Sequence, residues 1–351
     1  MKKILITGSL GYIGSTLVDY LLNMGYDVTG VDNGVFENCV LNNINNNHKV
    51  IFKNVSEINY LDLKNIDVLI HLSGLQNDPL NQTYPGKLYD IEYQYSIEIA
   101  KKCKELSIKF IYASSCSVYG LSNSENLLNE NSITNPITPY SSNKLKTEKA
   151  LINISDDNFK PLILRFATLF GFSNRMRFDL YINMFVGMSI STNMIKLNSD
   201  GSAWRPNVHI NDVCKVISLS IEKDFEKLEI INVGNNNLNK SVKDVVKIIG
   251  SYNNNLQTEF IDDNDKLFGD QYVVGKKDKR SYKVDFTKLN SVFGDNICDT
   301  TIEKGIEDMI LKFNCLENFK VLFNDSKFYR LQWMKLKMQN STLDSNLNYK
   351  R

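Results

Sequence analysis

Three glycines spaced three apart, Gly8, Gly11 and Gly14 in "TGSLGYIG", stand between a short apolar run, "KKILI", and the helical pattern "STLVDYLLNMGY". A glycine turn that leads a strand straight into a helix opens a β-α-β unit, in which the next strand lies parallel to the first. That strand is "DVTGVD", and apolar runs and helical patterns keep alternating after it: "DVLIHLSG", "SIEIAKKCKELSI", "KFIYASS". Near-continuous apolar strands joined by helices predict an α/β fold with a doubly wound parallel sheet, covered on both faces.

The chain has 351 residues, more than one typical domain. After "KPLILRFATLFG" strand signals thin out and irregular stretches lengthen. The expected organisation is a sheet domain over 1–170 and a smaller C-terminal substrate lobe over 171–315. The two interleave through a returning segment near 205–235 that contains "EIINVG". Residues 316–351 form a C-terminal extension that fits either a self-association helix or a brace.

Lys plus Arg number 41 against 40 Asp plus Glu, a formal charge of +1, so no basic field favours nucleic acid and a small ligand is expected. The six cysteines contain no Cys-x-x-Cys pair, and His48, His71 and His209 lie far apart. Neither a metal site nor a disulfide framework is indicated. Glycine breaks the first apolar run early, and none reaches the roughly 18 residues that span a bilayer. The expected location is the cytoplasm, with no membrane partner.

The glycine turn has a chemical reading. A helix N-terminus offers unpaired N–H groups to a pyrophosphate, and Asp32, ending the second strand, stands where a carboxylate receives the adenosine ribose hydroxyls. This is the Rossmann arrangement. No arginine follows Asp32 in "DNGVFEN", which favours NAD over NADP. Farther on, "PYSSNK" places Tyr140 and Lys144 one turn apart on a helix whose apolar face is Leu145, Ala150 and Leu151. Lys144, Lys146, Glu148 and Lys149 are expected on its wet face. Alone, the pair reads as a half-buried aromatic beside a solvated charge; beside a dinucleotide, an ammonium that lowers a phenol's pKa makes a general acid/base.

Taken together, "TGSLGYIG", Asp32, "IHLSG", "YASSCSVYG", "PYSSNK", "LRFATLFG" and "WRPNVHINDV" resemble the extended short-chain dehydrogenase/reductases, specifically the NAD-dependent nucleotide-sugar epimerase/dehydratase group, over roughly residues 1–315. The resemblance implies Tyr140 as general acid/base, Lys144 as its electrostatic partner on the nicotinamide ribose, and Ser115 as the hydroxyl that fixes the reacting sugar oxygen, with Ser117 beside it. It implies a cofactor site of Gly8, Gly11, Tyr12, Ile13, Gly14, Asp32, Asn33, Asn54, Val55, Leu72, Ser73, Gly74, Tyr140, Lys144, Phe166 and Ala167. Asn54 stands where relatives carry an acid, and Glu92 where many carry asparagine. For the substrate diphosphate, Asn183, Arg205 and Arg280 are the candidates; Trp204 either covers the sugar or packs, and His209 reads as a packing residue.

The implied activity is epimerisation of a nucleotide-diphosphate sugar at C4 through a transient ketone. The alternatives are a 4-ketosugar reductase or 4-dehydrogenase with net cofactor turnover, and a non-catalytic NAD-binding relative. A dehydratase fits less well, because Cys116 and Ser117 replace the Asp-Glu pair that eliminates water. The expected assembly is a homodimer.

Overall fold

The computed structural model describes residues 1–42, 48–74, 87–121, 127–197, 199–260, 281–344 and 348–350. Its strands are β1 (Lys3–Thr7), β2 (Asp27–Asp32), β3 (Lys49–Phe52), β4 (Val68–His71), β5 (Lys109–Ser115), β6 (Leu162–Phe166), β7 (Thr168–Phe170), β8 (Met194–Leu197), β9 (Trp204–His209), β10 (Glu229–Val233), β11 (Asn239–Ser241) and β12 (Gln257–Phe260). Among the described residues, seven form one parallel sheet in the order β10-β6-β5-β4-β1-β2-β3. The segment "EIINVG" does return to this sheet, as its edge strand β10.

Alternation within the central strands explains the two-sided cover. Ile4 and Ile6 of β1 point into one core and Leu5 into the other, and all three are fully buried. Each such side chain contributes roughly 1.5–3 kcal/mol of transfer free energy. Helix α1 (Tyr12–Asn23) buries Ile13, Leu17, Val18 and Leu21, one helical stripe, on the first side. Helices α2 (Lys87–Glu105) and α3 (Pro139–Ile154) pack together on the other.

Beyond β6 the chain builds the lobe from α4 (Tyr181–Thr192), a small sheet β11-β9-β7 and the pair β12-β8, while α5 (Ile210–Glu222) returns to pack on α1. The extension packs back on the lobe. Phe178 is ringed by Phe319, Phe323 and Phe328 with centroids at 5.8, 5.0 and 5.6 Å, and a Cβ on Gly187 would lie 2.2 Å from the Phe323 ring. Its last helix is Arg330–Gln339, followed by a bridge between Leu343 and Tyr349.

Strand order reverses between β1 and β4, and a crevice opens there beyond the carboxyl ends of the strands. Gly8, Asp32, Leu72, Ser115 and Phe166 all stand at or just past such an end and all line it.

Candidate active site

The crevice has two connected halves that share Gly8, Gly11, Leu72 and Arg330. In the first, Gly8 adopts φ +75°, and a Cβ there would meet the Ser73 backbone at 3.0 Å; a Cβ on Gly14 would lie 2.1 Å from the Gly8 carbonyl oxygen. The turn therefore tolerates no side chain at either position. Helix α1 starts at Gly11 without a side-chain cap, which leaves its first N–H groups available to an anion. Asp32 accepts from the Leu10 N–H at 3.1 Å and the Gly34 N–H at 2.9 Å, and Asn33, Asn54, Val55, Ser73 and Gly74 complete the wall. Burial raises the Asp32 carboxyl above its ordinary pKa, while those N–H groups and Arg175 and Arg330 oppose the rise. A glycine turn that admits the backbone, an uncapped helix start and an acid beyond it fit a dinucleotide.

The second half holds the chemistry. Thr138 caps α3 by accepting from the Ser141 N–H at 3.2 Å, and Pro139 opens the first turn, so Tyr140 leaves the helix at its mouth. The Tyr140 phenol and Ser115 line this half together, and Ser115, which ends β5, accepts from the Ser117 N–H at 3.1 Å. The Ser117 hydroxyl is buried without a hydrogen-bond partner among the described residues, and it lines this half with Phe166 and Ala167. Lys144 Nζ lies 3.4 Å from Glu92, 4.9 Å from the Tyr112 ring centroid and 5.9 Å from that of Tyr140.

Two expectations need correction here. Lys144 and Glu148 are not wet: they are 2% and 1% exposed, on a buried face of α3 with Ser141 and Leu151, and only Lys146 and Lys149 point to water. Glu148 is held by Arg165 at 3.0 and 2.7 Å and receives the Ser114 hydroxyl, a buried cluster that fixes the end of β5 against the helix. The Tyr140 pKa, moreover, is raised, because burial outweighs the lowering by Lys144 and Ser115.

The substrate candidates part company. Arg205 lines the catalytic half and donates to the Trp204 carbonyl at 2.9 Å. Asn183 does not line it: fully buried, it accepts from the Gly171 N–H at 3.0 Å and donates to the Tyr12 hydroxyl at 3.2 Å and the Arg177 carbonyl at 3.1 Å. Its polar atoms are spent on holding the wall. The Tyr12 phenol likewise donates inward, to the Gly171 carbonyl at 2.6 Å, so at Tyr12 the backbone is what faces the crevice. Arg280 lies outside the described residues. Trp204 packs under Lys283, 4.1 Å from its ring centroid, and His209 caps α5 against Phe170, its pKa lowered to about 4 by burial.

Sequence reasoning missed the wall opposite the glycine turn. Arg177 pairs with Asp179 at 3.0 and 2.8 Å, both lining the catalytic half, while Arg175 and Arg330 flank the Phe36 ring at 4.4 and 5.2 Å. These arginines come from segments distant from "DNGVFEN", so inspection of that stretch could not find them.

Residues 4–234 match the profile of the family described as NAD dependent epimerase/dehydratase. A Bacillus subtilis (strain 168) protein described as an uncharacterized UDP-glucose epimerase, YtcB, is 29% identical over 248 residues, covering 66% of this chain and 76% of that one. By structure, a protein titled an NAD-dependent NDP-hexosamine 5,6-dehydratase, TunA, superposes with a TM-score of 0.78 at 20% identity, over 90% of this chain and 99% of that one. The Thermotoga maritima UDP-glucose 4-epimerase, solved with UDP-glucose, gives 0.75 at 22% identity, over 89% and 98%. At these identities the two structures establish the fold.

Proposed function

The chain belongs to the NAD-dependent epimerase/dehydratase family and is an NAD-dependent enzyme of the extended short-chain dehydrogenase/reductase type; from that premise we propose that it interconverts nucleotide-diphosphate hexoses at C4 through a transient 4-ketone. One observation carries the reading: Tyr140, Ser115 and Ser117 line the same half of the crevice, with Lys144 Nζ 5.9 Å from the Tyr140 ring centroid.

NAD, held by the Gly8–Gly14 turn and Asp32, would supply a hydride acceptor and donor for the sugar carbon. Tyr140, as phenolate, takes the C4 hydroxyl proton as the ketone forms and gives it back when the ketone is reduced. Ser115 fixes that oxygen, and Ser117, with its unpartnered hydroxyl, is placed to hold a neighbouring sugar hydroxyl. Lys144 favours the phenolate, offsetting part of the rise that burial gives the Tyr140 pKa. Arg205 is the proposed anchor of the substrate diphosphate, as a planar donor suited to phosphate oxygens.

Elimination of water would need a proton donor for the leaving hydroxyl. The Cys116 thiol donates to the Arg165 carbonyl at 3.2 Å, facing the core, and burial raises its pKa. Asp179 faces the crevice as an ion: burial pushes its carboxyl up, but the Arg177 guanidinium brings it below the ordinary range. To test the reading, incubate the enzyme with a panel of nucleotide hexoses and trace NAD, following sugars by NMR and cofactor by absorbance. Interconversion of C4 epimers without accumulating NADH is expected. Steady NADH production or consumption points instead to the dehydrogenase or reductase, and loss of water to a dehydratase.

A further inference from the structure

The terminal helix brings a buried cation to the middle of the dinucleotide crevice. Arg330 is 7% exposed and lines both halves, as do Gly8 and Gly11. A dinucleotide that places adenosine at Asp32 and nicotinamide at Tyr140 must pass its pyrophosphate through the place the halves share.

Among the described residues, the charges around Arg330 do not balance. Arg175, Arg177 and Arg330 face two carboxylates, Asp179 and Asp32, and Arg177 already pairs with Asp179. Among the described residues, the Arg330 Nε is buried with no hydrogen-bond partner, as are Nε and Nη2 of Arg175, and Arg330 Nη1 reaches only the Gly74 carbonyl, at 3.5 Å. Burial, with Arg177 and Arg175 nearby, lowers the Arg330 guanidinium to about 9, so it remains a cation at neutral pH. A buried cation left under-compensated is costly, and an anion relieves it. The rest of the segment closes the adenosine end: Met334 and Leu343 line it, Trp333 Nε1 donates to the Val35 carbonyl at 2.6 Å, and the Asn54 amide donates to Asn348 at 2.9 Å.

We propose that the C-terminal segment is part of the NAD site, with Arg330 paired to the pyrophosphate opposite the glycine turn and Met334 and Leu343 covering the adenosine. The Asp32 carboxylate sets Arg330 apart from a 2′-phosphate reader, because a second negative charge at that ribose would be repelled.

The inference rests on the NAD assignment and not on the sugar chemistry. Its test is ligand binding by the full chain: titrate NADH, ADP-ribose and adenosine against wild type, Arg330→Gln and Arg330→Lys, and record each protein's thermal midpoint without ligand. The expected result is NADH and ADP-ribose binding about 10- to 100-fold weaker in Arg330→Gln, as loss of charge-assisted hydrogen bonds requires, with adenosine within about twofold. Arg330→Lys falls between, and the midpoint of Arg330→Gln without ligand equals or exceeds that of wild type. Unchanged NADH affinity, or an equal loss for adenosine together with a lowered midpoint, overturns the role of Arg330. Failure of wild type to bind NADH overturns the cofactor assignment itself.

Discussion

The two walls of the crevice receive an anion by different means. The amino-terminal wall is neutral: Gly8 and Gly11 shape the turn, their own N–H groups donating to the Val31 and Gly8 carbonyls, and the uncapped start of α1 presents its backbone N–H groups. The other wall is ionic and assembled from afar, with Arg177 and Asp179 between β7 and α4 and Arg330 from the helix Arg330–Gln339, while Arg175 lies buried behind it against Phe36. A wall made by local backbone geometry breaks when that geometry is disturbed. One made of buried charge instead loses affinity while the fold survives.

The largest expected effect lies between the walls. Tyr140→Phe removes one proton-transferring oxygen and little packing, so turnover should fall by about 10²–10⁴-fold with NADH affinity within about twofold, measured by kinetics and fluorescence titration. Next is the neutral wall. Gly14→Ala drives a Cβ against the Gly8 carbonyl, and should cost about 1–3 kcal/mol of stability together with NADH binding, read by denaturant unfolding and titration. That pairing of losses is the counterpart of Arg330→Gln, whose loss is in affinity alone.

On the substrate side, Arg205→Ala should raise KM about tenfold for a nucleotide hexose, as a lost charged hydrogen bond does, with a smaller change in kcat. The smallest effect sharpens the electrostatics. Tyr140 acts as a base in its phenolate form, so the acid limb of kcat/KM follows its pKa. Glu92 raises that pKa, and Glu92→Gln should move the limb to lower pH. Lys144→Met removes a lowering influence and should move it to higher pH, both read from pH–rate profiles.

What was legible in the sequence follows the same division. "TGSLGYIG", Asp32 and the alternating apolar runs are governed by short-range rules, and the sheet, its switch point and the cofactor wall follow from them. Helix α3 was read at the right period but with the wrong face for its charges. Lys144 and Glu148 are buried because Glu92 and Arg165, from other elements, compensate them. Asn183 looked like a ligand until its partners Tyr12, Gly171 and Arg177 came into place. Arg175 and Arg330 are 155 positions apart in the numbering, 330 less 175, and only the folded chain sets both against Phe36.

The central claim is that hydride leaves C4 and returns to C4 within one active site. A nucleotide hexose deuterated at C4, incubated with the enzyme in ordinary water until the epimers equilibrate, tests it directly by NMR and mass spectrometry. The account predicts both epimers with deuterium still at C4 and none in solvent or in released NADH. Deuterium lost to water, or carried away on free reduced cofactor, would contradict it.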